Sequence, residues 1–364
     1  MNVTSLSLTG FRNYDHFSAA FSPGRNLICG DNAQGKTNLL EAIAFLSGAK
    51  SHRTRTEREL IGFSQSEALI SAQIENRDRD FLVEITLSKH ARRKLLVNHV
   101  RLKTASALSD VIHTVLFCPE DLALLRDGAA VRRRFLDTSI CQLRPKYAAA
   151  LSKYNKLLEH KSRILRECDR QADLLHVLPE FNDGLARAGA ILIHYRAYFI
   201  QKLSTAAAHI AHDFSGEQLI LRYETVKTIS DPFASPLTLY QQLLEHQESH
   251  RTAELAAGSC LSGPHKDDFQ TELNALSARQ FASQGQVRTA VLAIKLAERE
   301  LHRNDIGHWP VLLLDDVLSE LDTKRQNFIL EHINDGQVFI SGCAFPDDTD
   351  ATILRLQNGR IINP

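Results

Sequence analysis

Eight residues near the N-terminus restrict the possible folds more than any other stretch. Gly30-Asp31-Asn32-Ala33-Gln34-Gly35-Lys36-Thr37 matches GxxxxGK[ST] at every fixed position. The spacing has a physical reason. Glycines let the backbone close around a phosphate, and the next helix start offers unpaired N–H groups and the positive end of its dipole. Lys36 supplies a point charge for β- and γ-phosphates, Thr37 a hydroxyl for Mg²⁺, and Asn38 completes the loop. The flanks agree. Asn26-Leu27-Ile28-Cys29 reads as a strand running into Gly30, and Leu39, Leu40, Ile43, Phe45 and Leu46 recur at helical spacing up to Gly48.

A phosphate loop needs an acidic strand as its counterpart. Val311-Leu312-Leu313-Leu314-Asp315-Asp316 is an apolar run ending in two carboxylates. Asp315 is placed to hold Mg²⁺, and Asp316 to orient or deprotonate the attacking water. Asp315 follows Thr37 by 278 residues, far more than a compact phosphate-loop domain allows. An insertion must separate the two halves.

The rest of the chain supplies it. Residues 68–102 alternate apolar and polar, which predicts antiparallel strands with Asn98-His99 at a hairpin tip. From 120 to 215 the pattern is helical, with one long helix expected over 178–203 and a more charged one over 130–168. Strands return after 215, with a helix near 237–257 and others at 286–303 and 323–334. A strand at 338–341 and a terminal one at 353–356 close the chain. The expected fold is α/β: a P-loop NTPase head with mixed and antiparallel sheets and an inserted helical arm. Its parts are an N-terminal lobe (1–119), the arm (120–215) and a C-terminal lobe (216–364).

ATPases split in this way carry a Ser-x-Gly turn opening a helix before the acidic strand. Two segments compete for that place. Leu261-Ser262-Gly263-Pro264 has a proline without an N–H and leads into a strand-like run. Ser283-Gln284-Gly285-Gln286 opens a helix 32 residues before Asp315, where a serine hydroxyl at a helix N-terminus can grip a γ-phosphate. The second is the better candidate.

Charge and cysteines bound the partners and the compartment. With 43 Lys+Arg against 43 Asp+Glu, no global positive field draws in phosphate. Zero is nevertheless a sum, since residues 1–150 hold 21 Lys+Arg against 15 Asp+Glu and the remainder 22 against 28. Arg92, Arg93 and Lys94, with Arg101 and Lys103, put five cations on one hairpin, and Arg132, Arg133 and Arg134 add three. Phosphate contact and solvated, ion-paired faces are both open readings of these groups. His246 and His250 lack a third metal ligand and read as a surface helix, and Trp309 as packed core. The six cysteines contain no CxxC pair, so free thiols in a cytoplasmic, reducing setting are expected. No apolar run approaches the ~20 residues of a membrane span.

Taken together, these motifs identify a resemblance. The chain resembles the RecF family of bacterial recombination mediators over essentially its whole length. The matching blocks are Gly10-Phe11-Arg12-Asn13-Tyr14, residues 30–38, Phe117-Cys118-Pro119-Glu120-Asp121-Leu122 and Arg132-Arg133-Arg134-Phe135-Leu136-Asp137. Ser262-Gly263-Pro264-His265-Lys266-Asp267-Asp268, Ser283-Gln284-Gly285 and Leu314-Asp315-Asp316 with Ser319-Glu320-Leu321-Asp322 also match. The blocks at 119–121 and 133–137 separate this family from SMC proteins, which share only the ATPase motifs.

The resemblance implies an ABC-type ATPase using ATP and Mg²⁺, with Arg12 among its nucleotide contacts. It implies a homodimer around two ATP molecules, each between one subunit's phosphate loop and the other's Ser283 turn, with Ser319 and Asp322 in a loop crossing the interface. It also implies clamping of gapped, single-stranded or duplex DNA, action with RecR and indirectly RecO and RecA, and no membrane partner. An SMC-like structural tether is the alternative; a nuclease-linked or transporter subunit has no supporting segment. Three departures stand out. Asp316 replaces a common Glu, so slow hydrolysis is expected; no His follows 338–341, leaving Ser341 as the polar candidate there; and no Q-loop glutamine is evident at 117–121.

Overall fold

The computed structural model describes residues 1–362 apart from 49, 55, 78, 168–171, 227, 228, 319, 320, 344 and 346–350. Ser319 and Glu320 of the expected interface loop therefore lie outside the described residues. The chain divides into two compact units, one formed by Met1–Asp121 with Lys295–Pro364 and the other by Leu122–Ile294.

The first unit opens with β1 (Asn2–Phe11), β2 (Tyr14–Ala20), β3 (Arg25–Cys29) and α1 (Lys36–Phe45). It continues through β4 (Glu67–Asn76), β5 (Arg79–Ser88), β6 (Lys94–Val97), β7 (Val100–Arg101) and β8 (Thr114–Phe117). The second holds α2 (Ala123–Arg126), α3 (Ala129–Leu143), α4 (Pro145–Glu167), α5 (Leu178–Ser215) and β9 (Leu219–Glu224). Then come α6 (Pro236–Ser249), α7 (Arg251–Ala257), β10 (Asp268–Leu273), β11 (Leu276–Ser277), α8 (Ala278–Phe281) and α9 (Gln284–Ile306), whose last residues belong to the first unit. That unit is completed by β12 (Val311–Leu314), α10 (Thr323–His332), β13 (Val338–Gly342), β14 (Thr352–Gln357) and β15 (Arg360–Ile362).

Two sheets build the first unit. One is antiparallel, in the order β2-β1-β4-β5-β6-β7. Its alternation buries Leu6 and Leu8, Ile70, Ala72 and Ile74, and Val83, Ile85 and Leu87, leaving the residues between them facing away from that core. Asn98 and His99 take φ of 47° and 64°, the left-handed pair of a two-residue hairpin turn, as their position predicts. The other sheet runs β15-β14-β3-β13-β12-β8, parallel except for the β15 edge. All four residues of β12 are buried, as a parallel strand covered on both faces requires. Buried Gln337 ties the sheets together: its Nε2 donates to Val3 O and Ser22 O, both at 2.8 Å, and its Oε1 accepts from Val3 N at 2.7 Å.

The second unit departs from the expected partition. It begins close to the predicted arm boundary but runs to Ile294, so residues 216–294 belong with the arm helices and not with a C-terminal lobe. The cause is local pairing. After α5, β9 pairs with β10 in register from Leu219↔Leu273 to Glu224↔Asp268, and α5 packs on β9, α4 and α6. Two expected helices are also divided. Pro145 separates α3 from α4, because a proline inside a helix removes an amide and clashes with the preceding turn. His250 separates α6 from α7. The expected helix over 178–203 extends to Ser215, where Gly216 at φ 71° closes it.

Candidate nucleotide-binding site

Strand order decides what meets the loop after β3. Because β13 lies between β3 and β12, the loops leaving the carboxyl ends of all three come together at one sheet edge. Gly35 sits at φ 107° in the first of them and its carbonyl accepts from Tyr14 Oη at 3.0 Å. A Cβ there would lie 2.7 Å from Tyr14 Oη and 2.8 Å from Asn13 Nδ2, so only glycine fits. Ala33 is also left-handed, at φ 65°, while Asp31, Asn32 and Ala33 are exposed.

Lys36 is buried and folded back over the loop, its Nζ donating to Gly30 O at 2.7 Å and Asp31 O at 3.1 Å. Gln34 O accepts from Gly359 N at 3.3 Å, and Gln34 Oε1 accepts from Asn358 N, so the β14–β15 turn steadies the loop. Asn38 Nδ2 donates to Asn13 Oδ1 at 2.7 Å. The loop's own carbonyls thus hold the lysine across it.

The two halves of the sequence motif meet directly. Thr37 Oγ1 donates to Asp315 Oδ1 at 3.0 Å, and Ser341 Oγ donates to the same oxygen at 2.8 Å. Ser341 Oγ in turn accepts from Asp316 N at 2.8 Å. Burial raises the Asp315 pKa, the hydrogen bonds from Ser341 and Thr37 oppose that rise, and the charges of Asp316 and Glu120 add to it. Such a carboxylate gains from a cation placed beside it. Asp316 takes φ 51° as the chain turns out of β12, which aims its side chain away from the strand line. Two hydroxyls and two carboxylates beside a buried ammonium suit a triphosphate with a divalent cation.

Arg12, expected among the nucleotide contacts, is bonded to α1 and to the segment before Leu60. Its Nε and Nη2 fork onto Glu41, at 2.9 and 3.0 Å, and its Nη1 donates to Glu59 O at 2.9 Å. Glu41 is fully buried in α1, and although burial pushes its pKa up, the hydrogen bonds from Arg12 and Ser51 bring it below the usual value. The fork braces the helix that follows the phosphate loop.

The signature candidates separate clearly. Ser283 precedes α9 and forms a reciprocal cap with Gln286: Ser283 N donates to Gln286 Oε1 at 2.9 Å, and Gln286 N to Ser283 Oγ at 3.3 Å. Gln284 and Gly285 form the turn's first helical residues. Residues 262–264 do not open an α-helix; they lead into a three-residue turn, Pro264–Lys266. Asp322 is exposed and caps α10, its carboxylate accepting from Arg325 N at 2.9 Å, an interaction that lowers its pKa.

The basic groups divide. Arg92 and Lys94 are exposed, whereas Arg93 is ion-paired with Glu57. Arg132 is not available for phosphate. It is buried, forks onto Asp268 at 2.6 and 2.8 Å, and its Nη1 donates to the carbonyls of Leu124 and Asp127 at 2.9 and 2.8 Å. Arg133 is half-buried and its Nη1 donates to Asp267 O at 2.7 Å. The sequence blocks at 132–137 and 262–268 thus form one buried network around Arg196 of α5. Its Nη2 donates to Asp137 Oδ1 at 2.7 Å, its Nη1 to Pro264 O at 2.7 Å and its Nε to Tyr147 Oη at 2.9 Å. Chain position alone could not show this, because the three segments are far apart in sequence.

His246 is likewise buried, stacked on His250 with ring centroids 4.0 Å apart and bonded to Ser262, so this is no surface pair. Among the described residues no group of three or more His, Cys, Asp or Glu side chains is placed to hold a metal, at this pair or elsewhere. Trp309 is partly exposed, with the Arg299 and Arg303 guanidinium groups 4.4 and 4.6 Å from its ring.

Comparison with known proteins agrees with this geometry. The family described as RecF/RecN/SMC N terminal domain matches residues 2–343. The DNA replication and repair protein RecF of Clostridium novyi is 37% identical over 366 residues, covering 99% of each chain. That of Agathobacter rectalis is 38% identical over 344 residues, covering 94% of this chain and 92% of its own. Among solved structures, the recombination mediator protein RecF with ATP in the RecFOR pathway superposes with a TM-score of 0.92 at 31% identity, covering 99% of this chain and 96% of that one. An Smc head domain with an extended coiled coil matches at a TM-score of 0.55 and 16% identity, a likeness of fold alone.

Proposed function

Because the chain belongs to the RecF family of DNA replication and repair proteins, we propose that it is an ATP-gated switch that clamps DNA during recombinational gap repair. The observation that carries the reading is the bonded set Thr37–Asp315–Ser341–Asp316 at the mouth of the phosphate loop. Main-chain N–H groups of residues 30–36 and the Lys36 ammonium bind the phosphates. Thr37 and Asp315 would hold Mg²⁺, which would supply positive charge to offset that developing on the phosphates. Asp316 orients the attacking water. Its side chain is one methylene shorter than the glutamate common in ABC ATPases, so it polarises that water poorly and the enzyme is a weak ATPase.

The catalytic set is completed in trans. Ser283 and Gly285 at the start of α9 reach the γ-phosphate held by a second copy, with Gln284 and Gln286 shaping the turn, and Asp322 lies at the same interface. ATP then binds the dimer more tightly than the monomer, and hydrolysis releases it. The dimer takes gapped, single-stranded or duplex DNA. The dimer works in the cytoplasm with RecR directly and with RecO and RecA indirectly; the naming of a solved relative as a recombination mediator of the RecFOR pathway supports partners from that pathway. No helix among the described residues is long and apolar enough to cross a membrane.

An SMC-like tether is the second reading, since that head fold is shared. The longest helix, α5, has 38 residues and spans about 57 Å at ~1.5 Å per residue, short for a rod. An Asp316→Asn variant tests the switch. ATP binding and ATP-dependent retention on gapped DNA should persist while turnover falls more than about tenfold. Unchanged turnover would remove Asp316 from the chemistry, and DNA retention indifferent to ATP would favour the tether.

A further inference from the structure

We infer that Glu217 is a positioning residue for the trans-acting signature turn, holding Ser283 in the orientation that a second copy's γ-phosphate requires. The inference rests on the ATP-driven dimer proposed above. It begins from the reciprocal cap in which Gln286 Oε1 accepts from Ser283 N, at 2.9 Å, and Ser283 Oγ accepts from Gln286 N, at 3.3 Å. Ser283 is exposed, so little packing fixes its backbone; the cap does. Gln286, however, has three rotatable torsions and reaches Ser283 only in one arrangement.

That arrangement has an anchor. Gln286 Nε2 donates to Glu217 Oε1 at 2.9 Å. An amide that must give its oxygen to Ser283 N and its nitrogen to a carboxylate cannot flip or swing away without losing both bonds.

Glu217 is itself fixed from both sides. Ser215 Oγ, the last residue of α5, donates to Glu217 Oε2 at 3.0 Å. Gly216, at φ 71°, turns the chain directly before it. On the other side, Gln218 N donates to Asn274 Oδ1 and Asn274 N to Gln218 O, both at 2.9 Å. Asn274 and Ala275 form the left-handed tip of the β10–β11 hairpin, at φ 50° and 65°. A continuous bonded path therefore runs from the end of α5 through Glu217 and Gln286 to Ser283, all within the second unit. A ligand that displaces the end of α5 would displace Ser283 with it. Neither the phosphate loop nor the acidic strand lies on this path, so the cis nucleotide site should not sense it.

The test uses the full-length protein with Glu217→Ala, Glu217→Gln and Ser283→Arg variants beside the native chain. Mass is followed by light scattering across ATP–Mg²⁺ concentrations, and monomer nucleotide affinity by a fluorescent ATP analogue at high dilution. Loss of a hydrogen bond to a charged group weakens each site about tenfold, and a dimer contains two such sites, so Glu217→Ala should weaken dimerisation on the order of a hundredfold. Monomer nucleotide affinity and melting temperature should stay at native values, and Glu217→Gln, which keeps an acceptor oxygen for Gln286, should recover most of the loss. Native dimerisation by Glu217→Ala, or a drop in melting temperature that Glu217→Gln does not rescue, would overturn the positioning role while leaving the dimer intact. If the native chain fails to dimerise with ATP, or Ser283→Arg dimerises normally, the underlying reading falls instead.

Discussion

One oxygen of Asp315 accepts from both Thr37 and Ser341, and Ser341 also holds the Asp316 amide. Removing the Ser341 hydroxyl takes this acceptor from the partly buried Asp316 N–H and leaves the Asp315 oxygen with the Thr37 bond. Ser341→Ala should cost about 1–2 kcal/mol of stability in the first unit. Turnover should fall more than about tenfold with ATP affinity within about threefold, because the phosphate contacts are elsewhere. Denaturant midpoints and single-turnover hydrolysis check both, and normal turnover would show that Asp316 is oriented by other groups. Lys36→Ala should act in the opposite way, abolishing measurable nucleotide binding in calorimetry while folding persists. At this scale the sequence is legible where a local motif fixes the placement, as for Lys36 in the loop and Thr37 beside Asp315. Tyr14 under Gly35 and Asn358 beside Gln34 were not readable, since their positions follow from strand order.

Among the elements, α5 is joined to α3 and to the loop before β10 through Arg196, whose partners are Asp137, Tyr147 and Pro264. Arg196→Ala would leave half-buried Asp137 and buried Asp267, whose Oδ2 lies 3.5 Å from Arg196 Nη1, without this cation, so a loss of roughly 3–5 kcal/mol in the second unit is expected by chemical denaturation. A native midpoint would show the network to be dispensable. The same loop carries two groups of opposite pH behaviour. Burial lowers His265 to about 4 and raises Asp267 to about 6. Between about pH 6.5 and 4 the unfolded chain binds the histidine proton and the folded one does not, so His265 makes stability fall on acidification. Between about pH 6 and 3.8 the folded chain holds the Asp267 proton and the unfolded one does not, so Asp267 makes stability rise. The two nearly cancel. Asp267→Asn should steepen acid destabilisation by up to about 1.4 kcal/mol per pH unit, and His265→Gln should reverse it; urea midpoints at pH 6.5 and 4.5 decide. Equal pH slopes in all three proteins would contradict the assignment. Helical periodicity revealed α5 but not the α3–α4 break at Pro145, although the proline was in plain view, nor that β9 would pair with β10 in the second unit. Periodicity reports the face of an element, whereas pairing depends on residues distant in sequence.

For the whole molecule, neutrality of charge conceals a basic N-terminal part. Arg132 is withdrawn from any DNA surface by Asp268, which leaves the exposed Arg92 and Lys94 of the β5–β7 hairpin region as the better candidates. Reversing both to Glu should reduce the salt dependence of ATP-stimulated DNA binding by a log–log slope of about 1.8 per protomer, leaving ATP-driven association unchanged. An unaltered slope would place DNA elsewhere. In the proposed switch, ATP joins two copies through the Ser283 turn. Sedimentation velocity of the native chain and of Ser283→Arg, each with and without ATP–Mg²⁺, tests it most directly. The native chain should double in mass only with ATP, while Ser283→Arg should bind ATP and remain a monomer. A native monomer at saturating ATP, or a Ser283→Arg variant that doubles in mass as readily as the native chain, would contradict it.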